Sequence, residues 1–228
     1  MNKNFLIKNF QKFSDLINYL FTNTIDEKKL FSENFSSKDN IVVFDVGANL
    51  GTFVDKILKT FKSSKINFHL FEPQSDLSEI LIKKYSNNIK INNFGIGKEE
   101  GSFTFYKNSI NSQSSFSNDQ IIGKIISEDQ VNVIRLDSYI EENKIQCIDI
   151  LKIDIEGKEL DALESLGKYL SNNFVKIIKI EISFKDKTHF QSVNTFLYNS
   201  GYTILGFSNM KYRDNQLFFV DAFYKCLN

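Results

Sequence analysis

Three carboxylates, Asp45, Glu72 and Asp154, each close a short apolar run, and each is followed within three residues by glycine or proline. A carboxylate at the end of a strand can accept hydrogen bonds from hydroxyls, face a cation, or take a proton. The first of them lies in Ile41–Gly51, "IVVFDVGANLG". Gly47 has no Cβ, so the turn after the strand can take φ > 0 and let a ligand approach the backbone, and Gly51 permits close packing where a helix begins. A dinucleotide fingerprint would read G-x-G-x-x-G and gather amides around a pyrophosphate. This stretch reads D-V-G-A-N-L-G. An acidic residue before the turn repels a pyrophosphate and suits a ligand that carries an ammonium and a sulfonium, which points to S-adenosylmethionine. A glycine turn with no ligand is the plainer alternative.

The second carboxylate, in "HLFEP", precedes the one proline of the chain. Pro73 cannot continue a ladder because it has no N–H, so Glu72 is presented at the strand end, where a carboxylate can accept from vicinal ribose hydroxyls. The third stretch is "IDILKIDIEGKELDALESL". If residues 151–156 stay extended, Leu151, Ile153 and Ile155 share one face and Lys152, Asp154 and Glu156 the other. Central parallel strands are apolar on both faces, so three charges together imply a polar cleft with Lys152 paired to a carboxylate. An internal salt-bridge network without catalytic duty remains the alternative. Glu181, in "KIEISF", could enter the same cleft. His189, at the start of a later helix, is read as incidental. A divalent metal on Asp154, Glu156 and another acidic residue is the less favoured reading, since carboxylates two apart are not a coordination motif, and the expected metal content is none.

These residues need a scaffold of strands that end at one edge. From residue 41 onward short apolar runs alternate with helical patterns, as in a parallel sheet covered by helices. The strands are expected at Ile41–Val46, Ile66–Phe71, Ile89–Asn92, Ile148–Ile153, Val175–Phe184, Tyr202–Phe207 and Leu217–Tyr224. Helices are expected at Thr52–Phe61, Leu77–Tyr85, Lys158–Leu170 and Thr188–Ser200, and an amphipathic helix over Asn4–Phe21. Only Ser208–Gln216 separates the last two strands, too little for a crossover helix, so they form an antiparallel hairpin. The domain reading is a helical extension over 1–40 and an α/β domain over 41–228, with an insertion at about 100–130 that contains the Ser/Asn-rich Asn108–Gln120.

Composition removes several classes of function. Lys plus Arg and Asp plus Glu are 28 each, so no global field draws the 228-residue chain to nucleic acid or to an anionic membrane. Cys147 and Cys226 match no zinc or redox spacing. The N-terminal stretch has no apolar run long enough for a signal peptide or a membrane span, and a cytoplasmic location is expected.

"FDVGANLG", "FEP", "NFGIG", "RLDSYI" and "LKIDIEGKELDALES" resemble, in order and spacing, the FkbM-type methyltransferases, over about residues 41–165. The resemblance implies a Rossmann-like, seven-stranded class I methyltransferase sheet, mostly parallel with an antiparallel C-terminal hairpin. It also implies S-adenosylmethionine as methyl donor and a hydroxyl of a sugar, glycan or small metabolite as acceptor. Carried over by motif, Asp45, Gly47, Asn49 and Gly51 would line the methionine part of the cofactor, Glu72 would hold the ribose, and Asn93 would lie by the adenine. Asp154 and Glu156 would face the transferred methyl, with Asp154 the first candidate for the base. Gly95 stands where the family often has Ala, and Ser114-Ser115 resembles a serine pair of the family's insertion. An NAD-dependent oxidoreductase and a non-catalytic methyltransferase-like binding module stay open as alternatives.

Overall fold

The computed structural model describes residues 24–62, 64–85, 89–108, 125–186 and 188–227. The expected helix over Asn4–Phe21, the Asn108–Gln120 stretch beyond residue 108, and Ser114-Ser115 lie outside the described residues. In chain order the elements are α1 (Glu27–Phe35), β1 (Asn40–Val46), α2 (Thr52–Thr60), β2 (Lys65–Phe71), α3 (Ser75–Tyr85), β3 (Ile89–Asn92), β4 (Gly95–Ile96), β5 (Gly101–Asn108) and β6 (Ile125–Ile134). There follow α4 (Leu136–Glu142), β7 (Ile148–Ile153), α5 (Glu159–Glu164), a 3₁₀ turn (Gly167–Leu170), β8 (Val175–Ser183), α6 (His189–Asn199), β9 (Tyr202–Arg213) and β10 (Gln216–Cys226).

Seven strands form the main sheet in the order β3-β2-β1-β7-β8-β10-β9. The first five are parallel, and β10 runs antiparallel to both β8 and β9. Chain order reverses between β1 and β7, so their carboxyl ends open the crevice in which ligands bind in such sheets. All six residues of β7 are buried, as a strand covered on both faces must be. One side of the sheet packs Phe44, Leu151, Ile178 and Ile180 under α4, α5 and α6. The other packs Val43, Val54, Ile57 and Ile177 under α1, α2 and α3. The described part of the 1–40 extension is α1, capped by the Asp26 carboxylate on Lys29 N–H and anchored by Phe31 against Phe53 and Phe223.

The chain departs from the sequence expectation in four places. A second sheet, β4-β6-β5, is built from 95–96 and the region expected to be an insertion; it alternates polar and apolar residues over short stretches and carries little of the apolar run that marks a core strand. The helix α4 comes from "LDSYI", whose three buried residues Leu136, Tyr139 and Ile140 are too few to print a clear period. The last hairpin extends to a two-residue turn at Asp214-Asn215, both at positive φ, so most of Ser208–Gln216 is strand and not loop. The expected helix Lys158–Leu170 divides into α5 and the 3₁₀ turn.

Candidate active site

The opening turn is held from both neighbouring strands. Gly47 N–H and Ala48 N–H both donate to the Phe71 carbonyl at 3.0 and 3.1 Å, and Asp154 N–H donates to the Val46 carbonyl at 3.1 Å. Gly47 sits at φ 80°, and a Cβ there would run into the Asp154 carbonyl. That is the physical demand behind the glycine: β1 and β7 end close together and the turn passes between them. Gly51, at φ 76°, begins α2 and answers a different demand, because a Cβ there would meet the Tyr85 hydroxyl. Tyr85 donates to the Gly51 carbonyl at 2.6 Å, and Lys84 donates to the Leu50 carbonyl at 2.9 Å, so the end of α3 grips the start of α2.

Above these strand ends lies a cavity of about 700 Å³, within the range typical of small-molecule sites. Of the residues singled out in the sequence, Gly47, Asn49, Glu72, Asp154 and Glu156 line it, and so does Glu181. Asp45, Gly51 and Asn93 do not line it. Asp45 is fully buried behind the wall and pairs with its cross-strand neighbour Lys152, Nζ to Oδ1 3.0 Å. It therefore holds the lysine rather than a ligand. Asn93 caps the Glu-Pro turn, donating to the Glu72 and Pro73 carbonyls at 3.0 and 3.1 Å. The cavity wall at the end of β3 is made instead by Gly95 and Ile96, with Phe71 and Phe105 beside them.

Lys152 joins the parts. Its ammonium lies 2.6 Å from the Gly47 carbonyl, 3.0 Å from Asp45 and 3.5 Å from Asp154. Burial would lower its pKa, but the charges of Asp45 and Asp154 hold it above the ordinary lysine range. Glu72 is buried, with Oε2 accepting from Asn49 N–H at 2.8 Å and Oε1 from Gln74 N–H at 2.9 Å. Burial pushes its carboxyl up, and these two amides oppose the shift. A carboxylate has about four acceptor sites, so capacity remains on both oxygens for ligand hydroxyls. Gln74, which also lines the cavity, is buried with its side-chain oxygen unpartnered among the described residues. Its one signal in the sequence is its place two residues after Glu72, beyond the proline that fixes the turn.

Asp154, Glu156 and Glu181 bring carboxylate oxygens within 4.8 Å of one another. Glu156 takes positive φ, 55°, and Gly157 φ 100°; the Glu159 carboxylate holds this turn by accepting from Ile155 N–H and Gly157 N–H, both at 3.1 Å. Asp154 and Glu156 thus meet in the cleft through a tight turn and not by strand alternation. His189, read as incidental, backs the turn: its Nε2 lies 3.2 Å from Glu159 and its Nδ1 accepts from Ser183 N–H at 3.1 Å. Burial, followed by the charges of Asp154 and Glu159, pushes Glu156 up to about 8. Burial, followed by Asp154 and Glu156, pushes Glu181 up to about 9. Across the mouth, the β9–β10 hairpin brings Lys211, Tyr212, Arg213, Phe218 and Phe219 to the cavity. Lys185 lies over the Phe218 and Phe219 rings, 5.0 and 4.9 Å from their centres.

Residues 45–204 match the family model described as Methyltransferase FkbM domain. Methyltransferase 1 of Beauveria bassiana is 23% identical over 192 residues, which cover 73% of this chain and 74% of that protein. The hexuronic acid methyltransferase AglP of Haloferax volcanii is 24% identical over 157 residues, 66% of this chain and 60% of that protein. Among solved structures, the methyltransferase FkbM from Methylobacillus flagellatus superposes with a TM-score of 0.61 at 17% identity, covering 91% of this chain and 50% of that one. The chain spans half the length of that structure, and at this identity the likeness concerns the fold.

Proposed function

The chain belongs to the FkbM methyltransferase family, with over half its length inside the family's domain, and from that premise we propose that it transfers a methyl group from S-adenosylmethionine to a hydroxyl of a sugar, glycan or small metabolite. The observation that carries the reading is the cavity where β1 and β7 diverge, with a glycine turn at its base and carboxylates at the ends of β2 and β7. The residues present fit the donor. Glu72 and the unpartnered oxygen of Gln74 offer acceptors for its hydroxyls and amino groups. Gly47 lets the turn pass against the Asp154 backbone at the base of the cavity, and the Asp154 carboxylate lines the cavity there to face a sulfonium. Asp45 contributes at one remove, by holding Lys152.

When bound, the donor supplies an electrophilic methyl carbon, whose bond to sulfur breaks toward a neutral thioether as the acceptor oxygen bonds to it. The chain's part is to hold that oxygen in line and to give its proton a destination. Asp154 is the first candidate to take the proton, because its backbone is tied to Val46 and to the wall of the glycine turn. Glu156 is the second. The aromatic and basic residues of the β9–β10 hairpin face the acceptor side, an arrangement suited to a hydroxylated ring that carries an anionic group. AglP, a relative named for a hexuronic acid, supports a sugar as acceptor class.

Calorimetric titration with S-adenosylhomocysteine tests the donor site without knowledge of the acceptor. One-to-one binding is expected, weaker by about 1–3 kcal/mol in Glu72→Ala, which orphans the Asn49 and Gln74 amides and removes the hydroxyl acceptor. Folded protein that takes up no S-adenosylhomocysteine would sink the reading.

A further inference from the structure

Most acids in and behind the cavity have a cation or backbone amides as partners. Asp45 and Asp154 share Lys152, while Asp221 and Glu27 share Lys179 at 2.9 Å each. Glu159 is occupied by two amides and by His189. Glu181 is different. It retains 8% of its exposure, lines the cavity, and no hydrogen bond or ion pair reaches it among the described residues. Its cross-strand partner on β10 is Asp221, an acid already committed to Lys179. A buried carboxylate in this condition is costly unless a cation or a proton meets it.

We propose that Asp154, Glu156 and Glu181 are the protein ligands of one divalent cation of the hard, oxygen-preferring class, Mg²⁺ or Mn²⁺. Three side-chain oxygens within 4.8 Å of one another are near enough to close on such an ion, whose ligands at about 2.0–2.1 Å put opposed oxygens roughly 4 Å apart. No thiol or imidazole takes part in the cluster, which agrees with an oxygen-only donor set. The two glutamates and the aspartate come from the end of β7, the turn after it and the interior of β8, so the site forms only when the sheet does. Three protein ligands leave about three of the six octahedral positions for water and for oxygens of the acceptor. Neighbouring hydroxyls of a sugar would bind there, with one of them acidified by the ion and aligned for transfer; its proton would then pass to water in the open cavity, Asp154 and Glu156 serving as ligands in place of proton acceptors. That use of the ion rests on the methyl-transfer reading; the ion site itself does not.

The test titrates metal-stripped, full-length protein with Mn²⁺ and reads free Mn²⁺ by electron paramagnetic resonance, with S-adenosylhomocysteine binding measured on the same samples. One Mn²⁺ per chain, displaced by Mg²⁺, is expected, with affinity at least about 10-fold weaker in Glu181→Gln and in Glu156→Gln. Glutamine keeps the side-chain volume at both sites, and thermal melts of the two variants confirm that the fold is retained. Absence of a stoichiometric Mn²⁺ site, or equal affinity in wild type and both variants, overturns the proposal. S-adenosylhomocysteine binding without a Mn²⁺ site removes the ion and leaves the donor reading standing. A Mn²⁺ site without S-adenosylhomocysteine binding supports the ion and sinks the donor reading.

Discussion

Lys152→Met is expected to lower the stability of the fold by about 3–5 kcal/mol, the usual consequence of removing one member of a buried ion pair. The lysine side chain keeps 9% of its exposure and the Asp45 side chain none. With the ammonium gone, the Asp45 carboxylate has no other partner among the described residues, where no hydrogen bond reaches either of its oxygens. The Gly47 carbonyl loses its 2.6 Å donor at the same time. Methionine matches the lysine stem in length and packs against the same walls, so the loss reports charge and hydrogen bonding more than volume. Urea unfolding of wild type, Lys152→Met, Asp45→Asn and the double variant completes a cycle. The double variant should recover part of the loss, because a neutral amide in place of the Asp45 carboxylate no longer needs the cation. A change below about 1 kcal/mol in Lys152→Met would mean that the pair is solvated in a way that its burial does not suggest.

That pair also marks how far the sequence could be read. Three charges in "LKIDIEG" at the end of a central strand announce a polar cleft, and a carboxylate partner for Lys152 follows from the cost of burying an unpaired ammonium. Which carboxylate it is depends on register: Asp45 lies opposite Lys152 across β1 and β7, more than one hundred residues away in the chain. The same limit explains the other displacements. Strand-end acids read as ligand contacts on one strand become structural when a neighbouring strand supplies a partner, as Lys152 does for Asp45. Asn93 turns back onto the Glu72 and Pro73 carbonyls, which the linear order of strands does not reveal.

Most of the core strands are legible because their Val, Ile, Leu and Phe runs are long enough to outweigh alternatives, whereas Ile89–Asn92 is marked only by alternation. The small sheet β4-β6-β5 was not, since its strands bury few residues, among them Ile96, Phe105, Val131 and Val133. Glu181 illustrates the intermediate case. Its strand is legible in "KIEISF", yet its meeting with Asp154 and Glu156 needs the β7–β8 pairing and the left-handed turn at Glu156 together. A pair of acids two apart is a weak signal alone; the third acid, from another strand, is what changes its meaning.

Asp154→Asn is expected to reduce turnover by about 10²- to 10⁴-fold, the range associated with a positioned proton acceptor, while S-adenosylhomocysteine affinity stays within about threefold of wild type. The backbone of Asp154 makes the substitution informative. Its N–H is bound to the Val46 carbonyl and its own carbonyl closes over Gly47, so an amide of the same shape leaves the cavity wall in place. What changes is charge. Asparagine cannot take a proton from the acceptor hydroxyl, gives no anion to face a sulfonium or a divalent ion, and leaves Lys152 with Asp45 as its remaining carboxylate. Transfer of labelled methyl groups to a panel of uronic acids, neutral hexoses and polyols would measure the effect once any of them accepts. Undiminished turnover would move the proton to Glu156 or Glu181, and a parallel collapse of donor affinity would reassign Asp154 from the chemical step to donor binding.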